Sequence, residues 1–334
     1  QAHRDRAMSA PRLDVDLDKI HHNARTLVTR LAARGISVTA VMKASLGSPD
    51  IARTMLRAGV SMIADSRMEN IEAMCRAGIR APMMLIRAPM ISDVPRVVQY
   101  ADISLNSELE VIRQLSDAAK AAGKTHAVVL MVELGDLREG IMPADLLHTA
   151  GLVLAMPNIT LKGIGANLAC HCGVSPDSRN MDQLSALAHS VEAAFGVTLD
   201  IVTGGNSANL NWAFSGADTG RINNLRLGEA ILLGCEPLHR QPIDGLYTDA
   251  ITLVAEVIES KIKPSQPWGE IAQTAFGEKP TVQDRGNISQ AIVPIGHQAT
   301  HPAGLSPPPG MDIFGGGSYQ PYLATRKRHL PIRP

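Results

Sequence analysis

Lys43 stands directly behind the apolar run Val38-Thr39-Ala40-Val41-Met42. A lysine amine becomes a nucleophile when partial burial lowers its pKa and frees its lone pair. Other short apolar runs carry residues of complementary chemistry. Thr203-Gly204-Gly205-Asn206-Ser207-Ala208-Asn209 follows the run 199–202. Its paired glycines let the backbone approach a ligand, and Asn206 and Ser207 offer polar groups at a turn into a helix. Such a turn holds phosphate through backbone N–H groups. An ordinary Gly-rich turn capped by Ser207 is the structural alternative. Arg226 lies inside Asn224-Leu225-Arg226-Leu227-Gly228. With Leu225 and Leu227 on the opposite face it points inward alone, which is costly unless it meets an acceptor. A salt bridge to Glu229 or Asp136 is its structural alternative. Arg138 falls in Glu133-Leu134-Gly135-Asp136-Leu137-Arg138-Glu139-Gly140, where a solvated charged loop is the plainer reading. Asn167 ends Gly163-Ile164-Gly165-Ala166-Asn167.

A nucleophilic lysine, a phosphate cradle and a buried arginine together describe a pyridoxal phosphate site. The aldehyde of that cofactor condenses with lysine, its phosphate takes backbone donors, and its ring nitrogen takes a partner. Arginine in that last place keeps the nitrogen unprotonated and the ring a weaker electron sink. That suits reversible proton removal at Cα.

The elements that must position these residues repeat. Apolar runs at 38–42, 61–65, 83–87, 102–105, 126–133, 159–165, 199–202 and 224–228 end in small or polar residues. Helix-compatible stretches lie between most of them, for instance 48–58, 68–77, 107–122 and 180–195. This alternation predicts an α/β chain built on a closed parallel (β/α)8 barrel of the TIM type, whose active site gathers where the strands end. The barrel is expected over residues 11–235. Beyond it, 247–260 and 290–295 are β-rich between prolines and glycines, which predicts a C-terminal β domain over 236–314. A strand at 13–17 is expected to belong with that domain. From 315 to 334 no period is sustained, and the tail is expected to be irregular, as a non-native or truncated end would be.

The composition narrows the function. The 334 residues are 45% hydrophobic and 19% charged, with formal net charge zero, so nothing favours nucleic acid or an anionic membrane as partner. The apolar runs are strand-sized, far short of a membrane span. Residues 1–10 lack an apolar core, and the reading is no signal peptide, with Met8 a plausible native start. Four cysteines, Cys75, Cys170, Cys172 and Cys235, make no disulfide framework, and a reduced, cytoplasmic compartment is expected. Cys170-His171-Cys172 invites a metal, yet no second Cys/His pair stands at zinc spacing, and no metal is expected.

The chain resembles the alanine racemase family of fold type III pyridoxal phosphate enzymes, and within it the ornithine and lysine racemase-like branch. The likeness runs from Pro11 to about Ile313 and rests on motifs in a shared order. They are Pro11-Arg12-Leu13-Asp14-Val15-Asp16-Leu17-Asp18-Lys19-Ile20, Ile63-Ala64-Asp65-Ser66-Arg67 and Asp102-Ile103-Ser104-Leu105-Asn106-Ser107-Glu108. Gly135-Asp136-Leu137-Arg138-Glu139-Gly140, Gly204-Gly205-Asn206-Ser207 and Asn223-Asn224-Leu225-Arg226-Leu227-Gly228-Glu229-Ala230 continue the series.

The resemblance implies an amino-acid racemase in which Lys43 carries pyridoxal 5′-phosphate and is one of two bases. Gly204, Gly205, Asn206 and Ser207 would hold the phosphate, and Arg226 would face the pyridine nitrogen. Arg138 would help position the phenolic oxygen and the substrate carboxylate. A homodimer is implied, in which the β domain of one subunit completes the other's site, acting on a small amino acid of ornithine, lysine or alanine type. The family's second base is a tyrosine after glycine; here Gly296-His297 stands there, and His297 is expected in its place. Asn167 occupies the position of a histidine that stacks on the cofactor ring, and Lys43-Ala44-Ser45-Leu46-Gly47 lacks the usual tyrosine after the lysine. A non-catalytic cofactor-binding protein and another fold type III enzyme, a decarboxylase or aldolase, are the alternatives. The first lacks a β domain, and decarboxylases place an acid where Arg226 stands.

Overall fold

The computed structural model describes residues 10–274, 277, 283–296, 299–301, 307, 309–316 and 321–325. It divides into two compact units. One spans Asp16–Ile251, and the other combines residues up to Val15 with those from Thr252 onward.

The chain begins with β1 (Arg12–Val15), then enters the first unit, where eight strands close a parallel barrel in sequence order. They are β2 (Ser37–Val41), β3 (Met62–Asp65), β4 (Met83–Leu85), β5 (Ile103–Asn106), β6 (His126–Met131), β7 (Ile159–Gly165), β8 (Ile201–Thr203) and β9 (Asn224–Leu227). Each lies on one of the eight apolar runs. Helices fill most of the connections, and those at Pro49–Arg57, Met68–Arg76, Leu109–Ala121 and Ser178–Phe195 occupy the stretches expected to be helical. The barrel closes where β9 pairs β2, with Thr39 opposite Arg226 and Ala40 opposite Leu227.

Strand alternation separates two apolar layers. Val38, Ala40, Ile63, Leu85, Val128, Leu130, Leu225 and Leu227 join the large core packed under the helices. Val41, Ala64, Met84, Ile103, Leu105, Val129 and Met131 form the smaller cluster on the opposite strand faces, inside the barrel. Arg226 is flanked in sequence by two members of the outer layer, so its own side chain enters the barrel interior. It is 4% exposed.

The compact unit that holds the barrel also includes 236–251, which the buried Asn23 ties to it. Asn23, fully buried in the helix Leu17–Ala32, donates to Ile231 O and Tyr247 O and accepts from Tyr247 N. Glu236, 4% exposed, accepts from the backbone of Leu238, His239 and Gln241. Ala250 then packs into the barrel's outer core.

In the second unit, β1 pairs β10 (Ile251–Val254), and β11 (Glu259–Pro264), β12 (Asn287–Ile292), β13 (Met311–Gly316) and β14 (Pro321–Thr325) form an antiparallel sheet ordered β11-β12-β14-β13. The strand at the chain's start therefore does pair with this region. β14 falls within the stretch expected to be irregular. Its ladder bonds are made by backbone, to which the Gly-rich composition around it gives no clue.

Candidate active site

The loops after β2, β6, β7 and β8 leave the same end of the barrel and, with Arg226 in β9, carry the predicted barrel residues. Lys43 opens a single 3-10 turn, Lys43–Ser45, behind β2. Its side chain is exposed and makes no hydrogen bond or ion pair among the described residues. Its charge is felt by Asp65, a fully buried carboxylate ending β3. Burial pushes the Asp65 carboxyl above its ordinary value, against bonds from Arg67 N and Asn70 Nδ2 and the nearby lysine. The Lys43 loop returns over Asn70 at Gly47, where φ is +66° and a Cβ would fall 2.8 Å from Asn70 Cβ. No sequence period marks Asp65 as part of this site; its signals are an acid at a strand end and its place in the motif Ile63-Ala64-Asp65-Ser66-Arg67.

Arg226 is held by oxygen atoms on three sides. Nη1 donates to Thr203 Oγ1 (2.6 Å), and Nη2 donates to Ala166 O (2.9 Å) and Asn167 Oδ1 (3.3 Å). The salt bridges expected as its alternative do not form. Glu229 pairs with Arg240, and Asp136 is taken up by backbone N–H groups. Burial lowers the Arg226 pKa to about 10, and the Arg138 charge adds to that while Glu139 opposes it. The guanidinium is still a cation at neutral pH.

Asn167 Oδ1 also accepts from Asn206 Nδ2 (3.2 Å), so Arg226, Asn167 and Asn206 form one chain of hydrogen bonds. With two donors on its oxygen, the Asn167 amide turns Nδ2 away, buried and without a partner among the described residues.

The 203–209 turn is capped by Asn206, not Ser207. Asn206 Oδ1 accepts from Ala208 N while Asn209 Oδ1 accepts from Asn206 N. Ser207 Oγ instead accepts from Ala230 N, stitching this loop to the helix Glu229–Leu233 behind β9. Gly204 N is spent on Asn224 O. The N–H groups of Gly205 and Ser207, in buried residues, find no acceptor among the described residues. Gly205 has φ +147°, and a Cβ there would lie 2.2 Å from Asn209 Oδ1. Unpaired buried donors around a surface closed to side chains suit an anionic oxygen group.

Arg138 reaches the same rim. Nε donates to Glu139 Oε2 (2.5 Å), Nη2 to Glu139 Oε1, and Nη1 to Cys170 Sγ (2.7 Å). Its pKa is raised, first by the Glu139 hydrogen bonds. Glu139 is itself depressed, as Arg138 outweighs burial. Glu133, 8% exposed, shapes this loop by accepting from the backbone of Gly135, Leu137 and Arg138. The loops bearing Lys43, Arg138 and Asn167 each hold a non-glycine residue in the left-handed region: Leu46 (φ 51°), Leu137 (φ 53°) and Ala169 (φ 54°). Such strain concentrates at functional loops.

The structure thus joins Asn167, Asn206 and Arg226 by direct bonds. It brings Arg138 within electrostatic reach of Arg226 and sets Lys43 at the same barrel end without a bond to that cluster. His297 lies outside the described residues. Cys170 and Cys172 are exposed, and among the described residues no three metal-ligating side chains converge. No helix of the described residues is long and apolar enough to cross a membrane. A cationic, donor-rich mouth with an exposed lysine amine at its edge fits a planar anionic group bearing a phosphate.

The chain is similar to known proteins of one family. The family model described as alanine racemase, N-terminal domain, matches residues 15–237. The ornithine racemase of Acetoanaerobium sticklandii is 39% identical over 311 residues, covering 92% of this chain and 87% of that protein. The lysine racemase of Thermotoga maritima is 34% identical over 300 residues, covering 90% and 84%. Among solved structures, alanine racemase from Streptomyces lavendulae superposes with TM-score 0.72 at 21% identity over 95% of this chain and 84% of that one. D-threonine aldolase from Filomicrobium marinum does so with TM-score 0.74 at 18% identity over 96% and 83%. At such identities the structural likeness speaks for the fold alone.

Proposed function

Because the chain belongs to the alanine racemase family, we propose that it is a pyridoxal 5′-phosphate-dependent amino-acid racemase, an isomerase interconverting L- and D-amino acids. The observation that carries the reading is Arg226, a buried cation aimed into the barrel and held by three neutral oxygens. With Arg226 there, a cofactor bound at this mouth would meet a guanidinium and not a carboxylate at its ring nitrogen. Identity with the ornithine and lysine racemases supports ornithine or lysine as the substrate class.

Lys43 would carry the cofactor on its amine. Gly204, Gly205, Asn206 and Ser207 would hold its phosphate, Arg226 would face its ring nitrogen, and Arg138 and Asn167 would hold its remaining polar edge. When bound, the cofactor supplies a conjugated ring that spreads the charge left on the substrate α-carbon. Lys43 Nζ, freed when the substrate amine takes its place on the cofactor, would take the α-proton on one face. His297 in this reading returns a proton on the opposite face, where imidazole's pKa near neutrality suits the task. Two bases on opposite faces invert configuration, whereas one base returns the proton to the side it came from. Arg138 binds the substrate carboxylate. The working form in this proposal is a cytoplasmic homodimer.

The test is α-proton exchange followed by NMR in deuterated water, with pyridoxal 5′-phosphate and L-ornithine, L-lysine, L-alanine and L-serine. Exchange with appearance of the D-enantiomer, largest for ornithine or lysine, is expected. Exchange with retained configuration would remove His297 from its role, and no exchange with any substrate would overturn the racemase reading.

A further inference from the structure

One buried carboxylate near the site has no part in the reaction derived above. Asp136 has no exposed surface. Its Oδ2 accepts from Cys170 N (3.0 Å) and His171 N (2.7 Å), and its Oδ1 from Cys172 N (3.2 Å) and Val174 N (3.1 Å). Four donors fill the lone-pair positions a carboxylate offers. Although burial works to raise its pKa, those four bonds together hold it below the ordinary value. Asp136 therefore locks the loop after β7 onto the loop after β6, two residues before Arg138.

This lock delivers Cys170 to Arg138. One edge of the guanidinium, Nε with Nη2, is taken by Glu139, and Nη1 meets Cys170 Sγ at 2.7 Å. A guanidinium has five N–H donors in a rigid fork. With three assigned, one N–H remains on each terminal nitrogen as a donor for a carboxylate. Held by Glu139 alone, the group could still swing about that edge. Contact at Nη1 removes that freedom.

We propose that Cys170 is a positioning residue for Arg138: its thiol, presented by the loop that Asp136 closes, fixes the guanidinium so that its remaining N–H groups meet the substrate carboxylate. The proposal rests on the reading of Arg138 as the carboxylate's partner.

The experiment compares Cys170→Ala, Cys170→Ser, Arg138→Ala and the Cys170→Ala/Arg138→Ala double variant as holoenzymes with L-ornithine. Cys170→Ala is expected to raise KM about fivefold with kcat within about twofold of the parent, since a lost contact to a charged donor is felt in binding. Cys170→Ser, whose oxygen accepts from the same N–H, is expected to recover most of that loss. Arg138→Ala raises KM further, and on that background Cys170→Ala adds nothing, because both act through one group. The absorbance maximum of the bound cofactor shifts in Cys170→Ala and Arg138→Ala alike and returns in Cys170→Ser. A parental KM and spectrum in Cys170→Ala, or additive effects in the double variant, would overturn the role of Cys170. A parental KM in Arg138→Ala would overturn the carboxylate reading itself, and the proposal with it. Asp136→Asn, which sets amide donors against backbone donors, is expected to reproduce the Cys170→Ala shift. If that variant does not fold, the Cys170 series decides alone.

Discussion

Arg226 is bonded to Thr203 by its side chain and to the turn behind Thr203 by its main chain: its Nη1 donates to Thr203 Oγ1 at 2.6 Å, and its backbone N donates to the carbonyl of Gly205, two residues beyond that threonine. Side chain and main chain of one residue thereby tie the middle of β9 to the end of β8 and to the glycine turn that follows. The residue facing the cofactor ring in the proposed reaction also braces the loop proposed to bind its phosphate.

Arg226→Lys tests that double duty. Lysine keeps a positive charge but brings one nitrogen to acceptors on Thr203, Ala166 and Asn167 that the planar fork reaches from two. Two buried oxygens are left poorly served, and stability is expected to fall by about 2 kcal/mol. Racemase turnover is expected to fall at least about tenfold. The urea midpoint and kcat are the measurements, and a parental midpoint would show that the bonds to Thr203 and Ala166 contribute little.

Lys43→Ala should separate function from folding. The side chain is exposed and unpaired among the described residues, so its removal is expected to change stability by no more than about 0.5 kcal/mol. Loss of the proposed base and attachment point is expected to lower α-proton exchange by about a thousandfold or more. Exchange surviving at the parental rate with the fold intact would move the chemistry to another residue.

Gly205→Ala addresses the phosphate turn. At φ +147°, with Asn209 Oδ1 2.2 Å from the new Cβ, the turn must open. The variant is expected to bind pyridoxal 5′-phosphate at least about tenfold more weakly by fluorescence titration, since one or two bonds to a charged oxygen are lost. Pyridoxal, which lacks the phosphate, should lose much less. Equal losses for both ligands would place the phosphate elsewhere.

How far the sequence carries these assignments depends on the kind of contact that makes them. The barrel strands are apolar on both faces, so they stand out as short continuous runs. Arg226 is legible for the same reason, as a charge that interrupts one. Its partners are not, because Ala166 O is a backbone atom and Thr203 one hydroxyl among many. Asp136 is obscured further: all four of its acceptor bonds go to backbone N–H groups at 170–174, which residue types cannot reveal. The same holds for the segment up to Ile251, which stays with the barrel unit through Asn23 gripping the distant backbone of Ile231 and Tyr247. Of the two polar residues in the turn, Ser207 is the cap in the structural alternative, but Asn206 is better placed. Its side chain accepts two residues ahead while Asn209 reaches back, and either polar residue suits that spacing.

The barrel also contains a group whose protonation should limit its acid stability. His126, on β6, is 2% exposed, with Nε2 2.8 Å from Ser104 Oγ. Burial lowers its pKa from 6.5 to about 4, with the Asp102 charge pulling upward and Lys124 pushing down. Between those two values the unfolded chain binds the proton and the folded barrel does not. Stability from this group is therefore full above about pH 6.5 and declines as pH falls toward about 4. By pH 5 the loss amounts to about 2 kcal/mol. His126→Gln has no proton to gain and keeps a polar end for Ser104. In urea unfolding at pH 7 and pH 5, the parent chain is expected to lose about 2 kcal/mol more than this variant. Equal losses in the two proteins would mean that His126 takes up its proton inside the folded barrel.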